Sequence, residues 1–227
     1  DMERRLVALG TDPSKIQVIP NWADGSAIRP LEALSSRLRI ERGWEKRFVV
    51  MHSGNVGLSQ ELGTLLSAAD LLRDEPDIVF AIVGEGAAKA GLQTEAVRRH
   101  LLNVEFLPYQ PKEDLADSLG ASDLHVIGLK RGLAGYIVPS KVYGILAAGR
   151  PYIAGVESGA EPALIAEKYS CGIHVEPGDP SALAAAIVGF RNDPARDMGS
   201  NGRRALEEHF DRPIATEAYR RLLESIV

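Results

Sequence analysis

The residues of this 227-residue chain with the most chemistry in their spacing are two glycine turns that each close an apolar run, and a Ser-Lys pair at the head of a predicted helix. The first turn, Ser53-Gly54-Asn55-Val56-Gly57, precedes a helix expected from about Ser59. Glycines there let the backbone come close to a ligand, and the unpaired amides of a helix start attract phosphate. It is not a dinucleotide fingerprint, because the third glycine is absent and no acidic residue ends the second strand at the required place. The second turn, Gly84-Glu85-Gly86, gains its weight from position: beside the first, it lets a diphosphate-linked ligand span both. The Ser-Lys pair lies in Gly135-Tyr136-Ile137-Val138-Pro139-Ser140-Lys141-Val142-Tyr143-Gly144-Ile145-Leu146-Ala147-Ala148-Gly149-Arg150-Pro151. Ser140 reads as the helix cap and Gly149 as its stop. Lys141 then occupies the first turn, where the helix dipole disfavours a cation. A bound phosphate would relieve that conflict; the competing reading is an exposed lysine that turns its ammonium to water. The five histidines, His52, His100, His125, His174 and His209, show no paired ligand spacing, so no metal is expected. His52 alone is singled out, because it precedes the first glycine turn.

These residues need elements to position them. Apolar runs at Phe48 to Met51, Ile78 to Val83, Val104 to Leu107, Leu124 to Leu129, Tyr152 to Val156 and Gly172 to Val175 are strand candidates. They are apolar on successive residues, which suits strands covered on both faces. Helix-length segments separate them: Ser59 to Arg73, Ala87 to Leu101, Lys112 to Leu119, Ser140 to Ala148 and Glu161 to Lys168. The order predicts an α/β fold, a doubly wound and mainly parallel sheet whose ligand site lies beyond the carboxyl ends of the strands. Segments from Pro180, Pro194 and Pro213, the last reaching Ile226, predict a helical tail. Met2 to Leu9 reads as a helix and Gln17 to Pro20 as a short strand. The expected organisation is a lead-in segment over 1–30, a binding domain over 31–193 and the tail over 194–227.

Composition sets outer limits. The net charge of −5 argues against a broad basic face for DNA or RNA, and 45% hydrophobic residues supply a continuous core. The lone Cys171 makes an intramolecular disulfide impossible and suits a reducing compartment. No apolar run is long enough to cross a bilayer. A cytoplasmic location is the expectation.

Seven pieces, in order across nearly the whole chain, give it a family resemblance: Val18-Ile19-Pro20-Asn21-Trp22-Ala23-Asp24, Ser53 to Gly57, Val83-Gly84-Glu85-Gly86, Phe106-Leu107-Pro108-Tyr109, Pro139-Ser140-Lys141, Leu146-Ala147-Ala148-Gly149-Arg150-Pro151 and Pro177-Gly178-Asp179-Pro180. The chain resembles the C-terminal, donor-binding domain of retaining GT-B glycosyltransferases of the large family four, particularly bacterial enzymes of exopolysaccharide and O-antigen assembly. The resemblance implies a Rossmann-like half of a two-domain hexosyltransferase that moves a sugar from a nucleotide diphosphate donor to an acceptor hydroxyl. It further implies UDP over GDP, no cofactor and no metal. The partner would be an N-terminal acceptor-binding domain, with a lipid-linked acceptor at the inner membrane face.

Carried over by position, Gly54, Asn55, Gly57, Gly84 and Glu85 approach the diphosphate, and Phe106 to Tyr109 hold the base, with Tyr109 stacking. Val138, Pro139, Ser140 and Lys141 face the phosphates, Lys141 being the catalytic stabiliser of the leaving group. Many relatives place arginine and lysine where this chain has Asn55 and Gln60, so charge neutralisation falls to Lys141, with Lys130 and Arg131 as supplements. The family's paired glutamates fall on Tyr136 and Gly144, and Glu161 is the substitute for the ribose contact. That loss also favours an alternative, a noncatalytic nucleotide-diphosphate-binding or assembly module. With the acceptor half absent, the chain by itself is expected to bind donor and to transfer nothing.

Overall fold

The computed structural model describes residues 2–195 and 197–225. Residue 226, the expected end of the tail, lies outside them, as do residues 1, 196 and 227. The central strands are β1 (Phe48–Ser53), β2 (Ile78–Val83), β3 (Val104–Leu107), β4 (Leu124–Gly128), β5 (Tyr152–Gly155) and β6 (Gly172–Val175). They form one parallel sheet in the order β3-β2-β1-β4-β5-β6. The chain leaves β1 in one direction and returns to β1's other side with β4, so the connections after β1 and β4 diverge. That divergence opens a crevice above the β1–β4 boundary, the usual place for a ligand in such sheets.

The helices are α1 (Met2–Ala8), α2 (Arg37–Glu41), α3 (Leu62–Leu71), α4 (Lys89–Arg98), α5 (Leu115–Gly120), α6 (Lys141–Ala147), α7 (Glu161–Tyr169), α8 (Pro180–Asn192), α9 (Met198–Ala205) and α10 (Arg212–Glu224). Strand residues alternate between the two covering layers, as the pleat requires. Val50, Phe80, Leu124, Val126 and Ile153 bury against α3 and α8, whereas Ile127, Tyr152 and Ala154 bury against α6 and α7. Val49, Met51, Val79 and Ala81 pack with Leu38 of α2 and with Trp44. Burial on both faces is why the strands read as unbroken apolar runs.

The short α6 is the helix that matters most for the site. Its Val142, Tyr143, Ile145, Leu146 and Ala147 are all buried, and each of the larger ones contributes roughly 1.5–3 kcal/mol by leaving water. Positions 141 and 144, three apart, are left together on the remaining face. A π-helical turn, Leu206–Phe210, joins α9 to α10 and sets Phe210 edge-on to Tyr143 at 5.3 Å between ring centroids. The tail therefore clamps α6 from behind: Arg203 donates to the carbonyls of Gly25, Ile28 and Ala147.

Two local expectations fail. Gln17 to Pro20 is not a strand; the lead-in segment instead makes a single parallel bridge from Ala23 to Asp211. Only Val18 and Ile19 of this stretch are aliphatic, and Pro20 has no amide hydrogen to give to a ladder. Ser140 also does not cap α6 with its side chain, since its backbone is already helical and its hydroxyl bonds to no amide of the first turn. A cap must hold an extended backbone to reach those amides.

Candidate functional site

The two glycine turns are stitched to each other by backbone bonds. The Gly54 N–H donates to Val83 O at 2.9 Å, the Val56 N–H to Glu85 O at 2.8 Å, and the Gly84 N–H to Leu107 O at 3.1 Å. The ends of β1, β2 and β3 therefore meet at one sheet edge, as their spacing predicted. Gly84 is required there: at φ +139° a Cβ would stand 1.8 Å from Gly54 O.

Beyond the β1–β4 boundary opens a cleft of about 670 Å³. Its floor is Ser53 at the end of β1 with Gly54, Asn55 and Gln60 beyond it, and one wall is residues 137–141 with Gly144. Trp22, Asp24, Lys112 and Arg212 add polar and aromatic groups to the lining, with apolar residues such as Ile28 and Leu115 between them. Lys141 lies in the angle between floor and wall. Its Nζ donates to Gln60 Oε1 at 2.7 Å and stands 3.1 Å from His52 Nε2. The Gly54 turn covers its stem, because a Cβ on Gly54 would contact Lys141 Cε at 3.6 Å. The side chain is thus half-buried rather than freely exposed, and burial pushes its pKa down from 10.5 to about 7.

The supporting groups carry no opposing charge. His52 is wholly buried, and burial, with the nearby Lys141, pushes its pKa down to about 3, so it is neutral. Its ring rests under the first turn, with Nε2 3.3 Å from Asn55 O. The sole acid in the cleft lining, Asp24, pairs with Arg212 at 2.8 Å. Among the described residues no carboxylate contacts the Lys141 ammonium, whereas the Gly54, Val56 and Gly84 amides are already taken by the Val83, Glu85 and Leu107 carbonyls, so the expected cradle of free turn amides is not formed by these three and Lys141 is the donor left to the cleft. Such an arrangement suits an anionic ligand.

Of the residues picked out by sequence, Gly54, Asn55, Val138, Pro139, Ser140 and Lys141 line the cleft together. Gly84 supports Gly54 from behind, and Gly57 sits against the Asn55 amide. The rest are not brought together with them. Glu85 is tied to Lys89 at 2.6 Å, whose Nζ also donates to the Gly84 and Leu107 carbonyls, so this carboxylate steadies the second turn. Tyr109 is exposed beside Gly84, outside the cleft lining. Lys130 lies on the surface after β4, held by its backbone to Ser59 O, and Arg131 pairs with Glu176.

Glu161 accepts a 2.5 Å bond from the Tyr143 hydroxyl and lines a separate cavity of about 460 Å³ under the lead-in segment. Its place at the head of α7 puts it behind α6, so it cannot stand in for a carboxylate at position 144. Glu161→Gln is therefore expected to leave nucleoside diphosphate affinity within about twofold of the unaltered chain, measured by calorimetry. A tenfold loss would return Glu161 to the ligand.

Sequence reasoning missed the roles of Gln60, Trp22, Asp24, Lys112 and Arg212. Lys112 and Arg212 carried no positional signal, since each stands next to acidic residues, Glu113 and Asp114 in one case and Asp211 in the other, and reads as part of a charged surface stretch. Trp22 and Asp24 did lie within a recognised motif, and that motif was the available clue.

Comparisons with known proteins agree with this fold. Residues 35–205 match the sequence profile of the family described as glycosyl transferases group 1. WcaI of Escherichia coli, named as a colanic acid biosynthesis glycosyl transferase, is 33% identical over 82% of this chain and 46% of its own length. WbjE of Pseudomonas aeruginosa, named as a glycosyltransferase, is 28% identical over 96% of this chain and 54% of its own. The chain thus spans about half the length of these curated relatives. The structure of Anabaena HepE in complex with UDP-glucose superposes with a TM-score of 0.82 at 19% identity, covering 99% of this chain and 60% of that one.

Proposed function

The chain belongs to the group 1 glycosyl transferases, and from that premise we propose that it is the donor-binding part of a retaining enzyme. The enzyme transfers a sugar from a UDP-sugar to an acceptor hydroxyl in bacterial surface polysaccharide assembly. The observation that carries the proposal is Lys141: an ammonium held by neutral groups in the angle between floor and wall of a cleft over the sheet's switch point, with no carboxylate in contact with it among the described residues. When the bond from the anomeric carbon to the diphosphate oxygen breaks, the electron pair goes to the phosphate. Lys141 meets charge that grows at that moment, and so stabilises the transition state more than the bound donor. Lys112 adds positive charge to the same cleft, whereas Arg212 is balanced there by Asp24. In this reading the reaction uses no cofactor and no metal.

WcaI, named for colanic acid biosynthesis, supports the polysaccharide assignment, and HepE, solved with UDP-glucose, supports the uridine nucleotide. An N-terminal acceptor-binding domain would close the cleft from the side of Trp22 and Arg212 and would bring the acceptor hydroxyl.

Thermal denaturation with UDP, GDP, ADP and NAD tests the binding half of the proposal. UDP at 100 times its dissociation constant is expected to add roughly 2.7 kcal/mol of apparent stability, with smaller effects from GDP and ADP and none from NAD. No response to any diphosphate rejects the donor-binding role.

A further inference from the structure

We infer that Lys141 is a proton-labile cation, held by Gln60 and His52 without a counter-anion, so that the cleft takes up a proton together with the diphosphate of its donor. This inference rests on the donor-binding reading above and deepens it.

The geometry gives Lys141 two contacts of different kinds. The Gln60 amide oxygen, itself buried, accepts from Nζ whether the lysine is an ammonium or an amine. His52 Nε2, 3.1 Å from Nζ, can likewise serve both states. Facing an ammonium, Nε2 offers its lone pair and the ring proton sits on Nδ1. Facing an amine, the proton moves to Nε2, where the Asn55 carbonyl lies 3.3 Å away. The imidazole is fully buried and stays neutral in both cases.

Among the described residues no other element supplies a compensating charge. From β4, His125 is buried with Nε2 3.1 Å from Leu119 O, and burial pushes its pKa to about 4, so it too is neutral. From the lead-in segment, Asp24 is engaged by Arg212 of α10. Lys112, ahead of α5, adds positive charge to the cleft. On α6 itself the Tyr143 hydroxyl is directed to Glu161, on the side of the separate cavity. Desolvation therefore acts on Lys141 unopposed and brings its pKa to about 7. A diphosphate in the cleft supplies the missing anion, raises that pKa, and draws a proton from solvent. Above pH 7 donor affinity then falls about tenfold per pH unit, until the pKa of the complex is reached.

Calorimetric titration with UDP-glucose, in two buffers of different ionisation enthalpy, counts the protons. Its esterified diphosphate keeps a fixed charge over the range used. With a free pKa of about 7, the expected uptake is about 0.9 proton per ligand at pH 8.0 and about 0.1 at pH 6.0. A second measurement needs no ligand. The Lys141 13Cε signal, assigned by its loss in Lys141→Met, is expected to titrate near pH 7 in the free chain. Gln60→Glu, which faces Nζ with a carboxylate, should move that midpoint above pH 9.

Binding without proton uptake at pH 8.0 overturns the inference and leaves the donor-binding reading standing. A free-chain midpoint above pH 9, or one unmoved by Gln60→Glu, overturns it too. No binding of UDP-glucose rejects the uridine donor and, with it, the proton uptake.

Discussion

Lys141→Met weakens UDP binding by about 10- to 100-fold and raises the stability of the ligand-free chain at pH 6: both changes are expected from one substitution. The loss follows from removing a charge-assisted contact to phosphate, which contributes about 1.5–3 kcal/mol. The gain follows from the lysine's surroundings. In the unfolded chain its pKa is near 10.5, and in the folded chain about 7. Below pH 7 both states carry the proton, and the folded state bears the full penalty of a poorly hydrated charge. Between pH 7 and about 10.5 the unfolded state binds more protons, so the wild type becomes more stable as pH rises. The methionine variant lacks this rise while keeping the aliphatic stem under Gly54. Calorimetry with UDP and melts at pH 6 and pH 9 check both halves. An unchanged affinity would remove Lys141 from the site.

Gly84→Ala is the substitution expected to damage the fold most for one added methyl. The new Cβ would fall 1.8 Å from Gly54 O and 2.9 Å from Gly54 C, and no side chain can swing aside to relieve it. At φ +139° the backbone itself resists any residue with a Cβ. The two turns would have to part, breaking the bonds that join the ends of β1 and β2. A loss of at least ~3 kcal/mol is expected, which for a chain of this size lowers Tm by roughly 6–12 °C. Donor binding should fall as well, because Gly54 lines the cleft. The control is Gly91→Ala in α4, where nothing lies within 4 Å and alanine favours helix by about 1 kcal/mol. Denaturant melts that place both variants at wild-type stability would contradict the close approach of the two turns.

Relocation of charge is the feature that sets this cleft apart from the pattern it resembles. Many relatives are expected to carry a lysine at the position of Gln60. Here Gln60 is an acceptor, and the cation comes from α6, 81 residues later, to sit 2.7 Å from it. The empty place at Gly144 follows the same logic. It shares a helix face with Lys141, and a Cβ there would meet only Leu119 Cδ1 at 3.5 Å, so this part of the wall stays open.

The sheet, its helical layers and the glycine turns were legible along the chain because each leaves a local mark. A parallel strand covered on both faces must be apolar on successive residues, as Ile78–Val83 is, and a turn such as Gly84-Glu85-Gly86 admits few alternatives to glycine. Element order then fixed the edge of the sheet on which Gly54, Ser140 and Lys141 would gather. What the chain's order could not reveal was which charged groups find partners. Glu85, expected at the diphosphate, and Arg131, expected as a supplementary charge, were given Lys89 and Glu176 by folding, whereas it set Lys141 against Gln60 and His52. Glu161 was likewise turned to Tyr143, behind α6. A residue's type and neighbours in sequence determine its backbone preference. Its charge state and its freedom to bind a ligand depend on burial and on contacts from distant segments, and only the packed tertiary structure decides those.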